Sequence, residues 1–204
     1  MTMWVANGLS QDLPSGVVMA GNWQGAELAI WRSVSGRLAA WGDRCPHRGM
    51  RLSHGFVRGE TLSCIYHGWT YGSDGACSKI PAHPTMVPPA AIKAEVYQCV
   101  EADGVIWVGP AGPEADLPDL SGMVAVRSVS VLGDVAALTR ALPGFVADGA
   151  LWRGQVGGVS VSLVVQARGA GLGLHALCGA AAHRVAVSRW LDGVVQLVEQ
   201  EALT

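Results

Sequence analysis

Two short segments of this chain place metal-binding side chains at fixed intervals. The first is Arg44-Cys45-Pro46-His47-Arg48-Gly49 and the second is Ser63-Cys64-Ile65-Tyr66-His67-Gly68-Trp69. Each supplies one thiol and one imidazole, as Cys-x-His and Cys-x-x-His, with sixteen residues between His47 and Cys64. Two thiolates with two imidazoles suit either a structural zinc ion or a mixed-ligand iron–sulfur cluster. In such a cluster the thiolates hold one iron and the imidazoles hold the other. Neutral imidazoles in place of anionic thiolates reduce the negative charge, so the reduced form is easier to reach and the added electron belongs on the imidazole-bound iron. Gly49 and Gly68 are expected to let the backbone approach closely and to offer N–H groups to sulfur. Trp69 is expected to shield one side from water, and Tyr66 to donate an outer hydrogen bond.

These segments need loops held by rigid elements, and the flanking sequence reads as short strands. Glu27 to Ser33 and Arg37 to Trp41 flank a Ser-Gly turn, a hairpin pattern. Phe56-Val57 and Thr61-Leu62-Ser63 flank Arg58-Gly59-Glu60. Trp69-Thr70-Tyr71 runs into a Gly-Ser-Asp-Gly turn, and Val96 to Val100 pairs in pattern with Val105 to Val108. Such spacing predicts an all-β module over residues 1–112. Gly109 to Pro118 holds three prolines and two glycines, which predicts a linker at 113–120. Residues 121–204 then read as a small α+β domain. Met123 to Leu132, Val159 to Ala167 and Leu172 to Cys178 read as strands, and Val135 to Leu142 as a short helix ended by Pro143-Gly144. Val187, Trp190, Leu191, Val194, Leu197 and Val198 recur at helical spacing near the end.

Composition narrows the class. Half of the 204 residues are apolar and 15% are charged, enough to build a core. A net charge of −2 gives no general attraction to nucleic acid or to an anionic membrane. The N-terminus lacks a signal-peptide pattern, and no apolar stretch is long enough to span a bilayer, so a cytoplasmic setting is expected. The cysteines, Cys45, Cys64, Cys77, Cys99 and Cys178, are odd in number and sparse, which argues against a disulfide framework. Cys77, Cys99 and Cys178 read as small buried side chains, and His54 and His83 as loop residues. Arg44, Arg48, Arg51 and Arg58 form either a rim for an acidic redox partner or an ordinary solvated surface.

The Cys-Pro-His-Arg-Gly and Cys-Ile-Tyr-His-Gly-Trp segments resemble the Rieske domain of the Rieske non-haem iron oxygenases. Trp4-Val5-Ala6, Leu52-Ser53-His54-Gly55, Gly75 to Pro81 and Val105 to Val108 fall where that family has similar segments. The resemblance covers residues 1–110 or so. It implies small antiparallel sheets, with a [2Fe–2S] cluster at a tip formed by two loops. It implies Cys45, His47, Cys64 and His67 as ligands, with Arg48, Gly49, Tyr66, Gly68 and Trp69 around them. Respiratory Rieske proteins carry an extra cysteine in each loop, whereas this chain has Gly49 and Tyr66 in those surroundings. The resemblance is therefore to the lower-potential oxygenase or ferredoxin type, reduced by flavin or ferredoxin reductases.

An oxygenase subunit of that family also holds a mononuclear iron on two histidines and a carboxylate. Here only His175 and His183 lie outside the Rieske region, eight residues apart, with Asp192 and Glu199 following. Residues 120–204 resemble a shortened form of the family's helix-grip domain, a sheet ending in a long helix. The leading expectation is a one-electron carrier within an oxygenase system, passing electrons to an oxygenase subunit, in a homo- or hetero-oligomer. The alternatives are a small monooxygenase or demethylase with iron on His175, His183 and a carboxylate, or a zinc protein.

Overall fold

Turns rich in glycine, serine and aspartate cut this apolar chain into many short strands, and the computed structural model describes them over residues 4–109 and 117–202. The strands of the first half are β1 (Val5–Leu9), β2 (Val17–Trp23), β3 (Ala26–Arg32), β4 (Leu38–Gly42), β5 (Phe56–Arg58), β6 (Thr61–Ser63), β7 (Thr70–Gly72), β8 (Cys77–Lys79), β9 (Val96–Ala102) and β10 (Val105–Gly109). The rest follow as β11 (Val124–Leu132), α1 (Val135–Ala141), β12 (Val146–Asp148), β13 (Leu151–Val156), β14 (Val159–Arg168), β15 (Gly171–Cys178) and α2 (Arg184–Glu201). The fold is α+β, with small antiparallel sheets and a C-terminal helix. Of the expected linker, residues 113–116 lie outside the described residues.

The described residues divide into two compact units. One takes in 4–5, 13–101 and 107–109, and the other 6–12, 102–106 and 117–202. In the first unit β9, β4, β3 and β2 lie side by side, and β5-β6-β7-β8 form a separate antiparallel sheet. The β3–β4 hairpin closes where the amides of Ser33 and Gly36 donate to Arg37 O and Ser33 O (2.9 and 3.0 Å). One core joins Trp31, Trp41, Leu52, Leu62, Tyr71, Cys45, Cys64 and Cys77. Trp31 meets Trp41 edge-on at 5.1 Å, and Trp41 meets Tyr71 edge-on at 6.2 Å, a packing that aromatic quadrupoles favour.

The second unit carries a five-stranded sheet in the order β11-β15-β14-β13-β12. Consecutive strands pair through two-residue hairpins, with Val156 opposite Val159 across Gly157-Gly158 and Arg168 opposite Gly171 across Gly169-Ala170. Strand side chains alternate in direction, so Leu172, Leu174, Ala176 and Cys178 of β15 all join one core face. Asp134 caps α1 by accepting from Ala137 N at 2.8 Å. Val187, Leu191, Val194 and Val198 of α2 are buried at three- and four-residue intervals. Leu197 was expected on that face but is 50% exposed, because one residue along a helix turns about 100° away from its neighbour. Trp190 is half-buried and stacks on Phe145, with centroids 5.5 Å apart. Among the described residues no helix is long and apolar enough to cross a membrane.

Candidate metal centre

Both chemistry-bearing loops are built to one plan. In the first, Cys45 N donates to Met50 O (2.8 Å) and Gly49 N donates back to Cys45 O (2.8 Å). In the second, Cys64 N donates to Trp69 O and Gly68 N donates back to Cys64 O, both at 2.9 Å. The fourth residue after each cysteine is a glycine with positive φ, 69° at Gly49 and 68° at Gly68. A side chain there would strain the backbone, and at Gly68 a Cβ would also sit 3.1 Å from Pro81 Cγ. The expectation that Gly49 and Gly68 offer their N–H groups to sulfur is corrected by these bonds. Their amides close the loops onto carbonyls, which is what the left-handed conformation favours. The Cys64 sulfur instead faces the backbone N–H groups of Tyr66 and His67.

The loops sort their ligands by depth. Cys45 and Cys64 are 3% and 2% exposed, on the core side. His67 is exposed and His47 half-buried, with ring centroids 4.7 Å apart and edge to face. Trp69 stacks flat on His47 at 4.1 Å with 5° between the planes. Tyr66 lies over His67 at 3.9 Å. The Tyr66 hydroxyl, expected to donate toward the site, is on a residue 61% exposed and makes no hydrogen bond among the described residues. Sequence reasoning missed the residue that does reach sulfur. Tyr71, fully buried on β7, has its hydroxyl 3.1 Å from Cys45 Sγ. Burial and the neighbouring thiols push the Tyr71 phenol well above its ordinary pKa, so it keeps its proton and is the donor to a thiolate. The one available signal was a tyrosine seven residues past Cys64 at an inward position of a short strand.

A charged brace holds the first loop. Asp43 is 1% exposed, and its carboxylate accepts from Ser53 N (2.6 Å), Ser53 Oγ (2.7 Å) and Arg51 Nη1 (3.3 Å). Arg51 and Arg44 both pair with Glu27. The hydrogen bond from Arg51 holds the Glu27 carboxyl below its ordinary range. Two of the four arginines considered for a basic rim are thus neutralised locally, and Arg58 lies over the Phe56 ring at 4.8 Å. Arg48 is exposed.

The candidates for a second iron do not meet. Asp192 pairs with Arg127, Glu199 accepts from Leu132 N (3.4 Å), and His183 is exposed ahead of α2. His175 is 1% exposed, and its Nδ1 is 2.7 Å from Ser128 Oγ. Ser128 directs its proton to the Asp12 carboxylate, so it accepts from His175 Nδ1–H. The remaining nitrogen, Nε2, is buried without a hydrogen bond among the described residues. Burial pushes the His175 pKa down to about 4. Among the described residues no three His, Cys, Asp or Glu side chains converge on one cation position. Two buried thiols and two outward imidazoles are the donor types that a mixed-ligand two-iron cluster takes.

A family model for the Rieske [2Fe–2S] domain matches residues 3–98. The chain carries a Rieske domain. Its cofactor is a Rieske-type [2Fe–2S] cluster, and the donor set at the two loops fits it. The chain is 39% identical over 133 residues to the oxidoreductase NdmD of Pseudomonas putida, covering 63% of this chain and 23% of that protein. It is 45% identical over 82 residues to the methylxanthine N1-demethylase NdmA of the same species, covering 40% of this chain and 23% of that one. The match thus spans less than a quarter of either relative. Over the whole fold the chain is similar to apo dicamba monooxygenase, with a TM-score of 0.72 and 18% identity over 98% of this chain and 86% of that one. It is also similar to the QL mutant of Pseudomonas putida NdmA solved with theobromine, with a TM-score of 0.71 and 18% identity over 98% of this chain and 80% of that one. This likeness is one of fold, and it takes in the second unit as well as the first.

Proposed function

We propose that Cys45 and Cys64 hold the inner iron, that His47 and His67 hold the outer one, and that the chain is a single-electron carrier of a Rieske oxygenase system. The arrangement of the two loops carries this reading, with thiols buried and imidazoles turned outward. When bound, the cluster supplies a one-electron couple. The protein's own residues set its surroundings. Tyr71 O–H and the amides of Tyr66 and His67 place hydrogen-bond donors against the sulfurs, while Trp69 and Tyr66 cover the two imidazoles. His47 and His67 are the ports through which an electron leaves. A flavin or ferredoxin reductase supplies it, and an iron centre on an oxygenase subunit receives it. Assembly with that subunit, or with further copies of this chain, follows from the same role.

The second unit supports a carrier rather than a self-contained oxygenase. The space between its sheet and helices is filled by Trp152, Leu163, Leu172 and Leu174 from strands and by Leu138, Val187, Leu191 and Val194 from helices. Asp192 pairs with Arg127, Glu199 accepts from Leu132 N, and neither meets His175 or His183. The test is the iron, zinc and acid-labile sulfide content per chain after anaerobic purification, with visible and EPR spectra. Two irons and two sulfides are expected, with reduction by a flavin reductase and no substrate-dependent oxygen uptake by the chain alone. Zinc without sulfide would overturn the ligand assignment, and a third iron would overturn the carrier role.

A further inference from the structure

Cys77 is buried on β8 and bonds to no metal in the reading above. It is the direct cross-strand partner of Tyr71, across a β7–β8 register that shifts between Thr70 and Tyr71. Directly opposed side chains of an antiparallel pair lie about 4.5–5.5 Å apart at Cβ. Cys77 and Tyr71 belong to one buried cluster with Cys45 and Cys64. The Cys77 thiol donates to Lys79 O at 3.7 Å, along its own strand. Its amide is anchored by Ile92 O at 3.0 Å. Trp41 meets the Tyr71 ring edge-on at 6.2 Å. The phenol is long, and only its packing fixes where its oxygen lies. A small tilt of the ring would carry the hydroxyl beyond the 3.1 Å contact with Cys45 Sγ.

We infer that Cys77 is a positioning residue for the electron carrier: its sulfur packs beside Tyr71 and holds the phenol hydroxyl on Cys45 Sγ. Sulfur against an aromatic ring is a favourable contact, and a cysteine is small enough to lie under the ring without displacing it. The inference rests on Cys45 being a cluster ligand. Cys77 is not a ligand in that reading, and the inference assigns its effect on the couple to Tyr71.

The test is a double-mutant cycle on the reduction potential, with iron and sulfide counted for every variant. Tyr71→Phe should lower the potential by removing the hydroxyl. Cys77→Ala should lower it in the same direction, by a third or more of the Tyr71→Phe shift. Cys77→Val, which restores bulk beside the ring, should recover most of that loss. In the Tyr71→Phe background neither Cys77 change should move the potential further. A Cys77 shift of equal size in both backgrounds would overturn the inference, because Cys77 would then act on the cluster directly. No shift for Cys77→Ala in the parent would overturn it as well. If Cys77→Ala fails to assemble, Cys77→Ser in the two backgrounds decides: its smaller oxygen leaves the ring less supported, so the potential should fall in the parent and stay unchanged in the Tyr71→Phe background, and an equal fall in both, or none in the parent, would overturn the inference. Absence of iron and sulfide from the parent protein would mark failure of the ligand assignment itself, and the inference would fall with it.

Discussion

Replacing Tyr71 by Phe removes one hydroxyl from the buried side of the metal centre and leaves the ring between Trp41 and β8. The lost contact is the 3.1 Å hydrogen bond to Cys45 Sγ. A hydrogen bond to a charged acceptor contributes about 1.5–3 kcal/mol. It exists in both oxidation states, so only its strengthening on reduction bears on the potential. The added electron belongs on the imidazole-bound iron, away from Cys45, so the differential part is a fraction of the whole, about 1 kcal/mol. For a one-electron couple a tenfold change in the equilibrium, or 1.4 kcal/mol, is 59 mV, so the potential should fall by about 40 mV. The assay is a redox titration of anaerobically purified protein, followed by visible absorption and EPR. An unchanged or raised potential, with iron content intact, would refute the argument that Tyr71 donates to a ligating sulfur.

Further expectations follow from the same geometry. The His175 pKa of about 4 lies below its ordinary value of 6.5, so the unfolded chain binds more protons between those pH values. This contribution to stability is complete above pH 6.5 and is lost as pH falls toward 4, by roughly 3 kcal/mol in all; urea unfolding against pH should show the slope, and His175→Gln should flatten it. Gly68→Ala meets both left-handed strain and Pro81, so it should cost about 1–2 kcal/mol or more and lower iron per chain, whereas Gly49→Ala, with open space around its Cβ, should show the strain alone in thermal melts. Arg51→Met removes the guanidinium from the buried Asp43 and should destabilise the first loop, seen as faster loss of cluster absorbance on warming. His183→Ala should leave iron content and the EPR signal unchanged; loss of a third iron would contradict the carrier role.

Metal chemistry was legible in the sequence because ligation is set by residue type and short spacing. Cys45, His47, Cys64 and His67 sit in loops whose glycines can be read without coordinates, and the hairpins on either side follow from period-two alternation and turn residues. The α2 face was legible for the same reason, apart from Leu197, where one residue's rotation separates core from solvent. Long-range packing was not legible. No local signal says that Tyr71 reaches Cys45 across twenty-six residues. None says that Cys77 lies opposite Tyr71 through a shifted register, or that Arg44 and Arg51 pair with Glu27 and Arg51 also with Asp43. Nor does spacing reveal that residues 6–12 and 102–106 cluster with 117–202. The sequence by itself determined which atoms can bind metal, since that depends on covalent chemistry within a few residues. Only the tertiary structure decided which side of the centre is dry, which hydroxyl faces sulfur and which histidine is buried. Those depend on contacts between segments far apart in the chain, where burial and hydrogen bonding act through space.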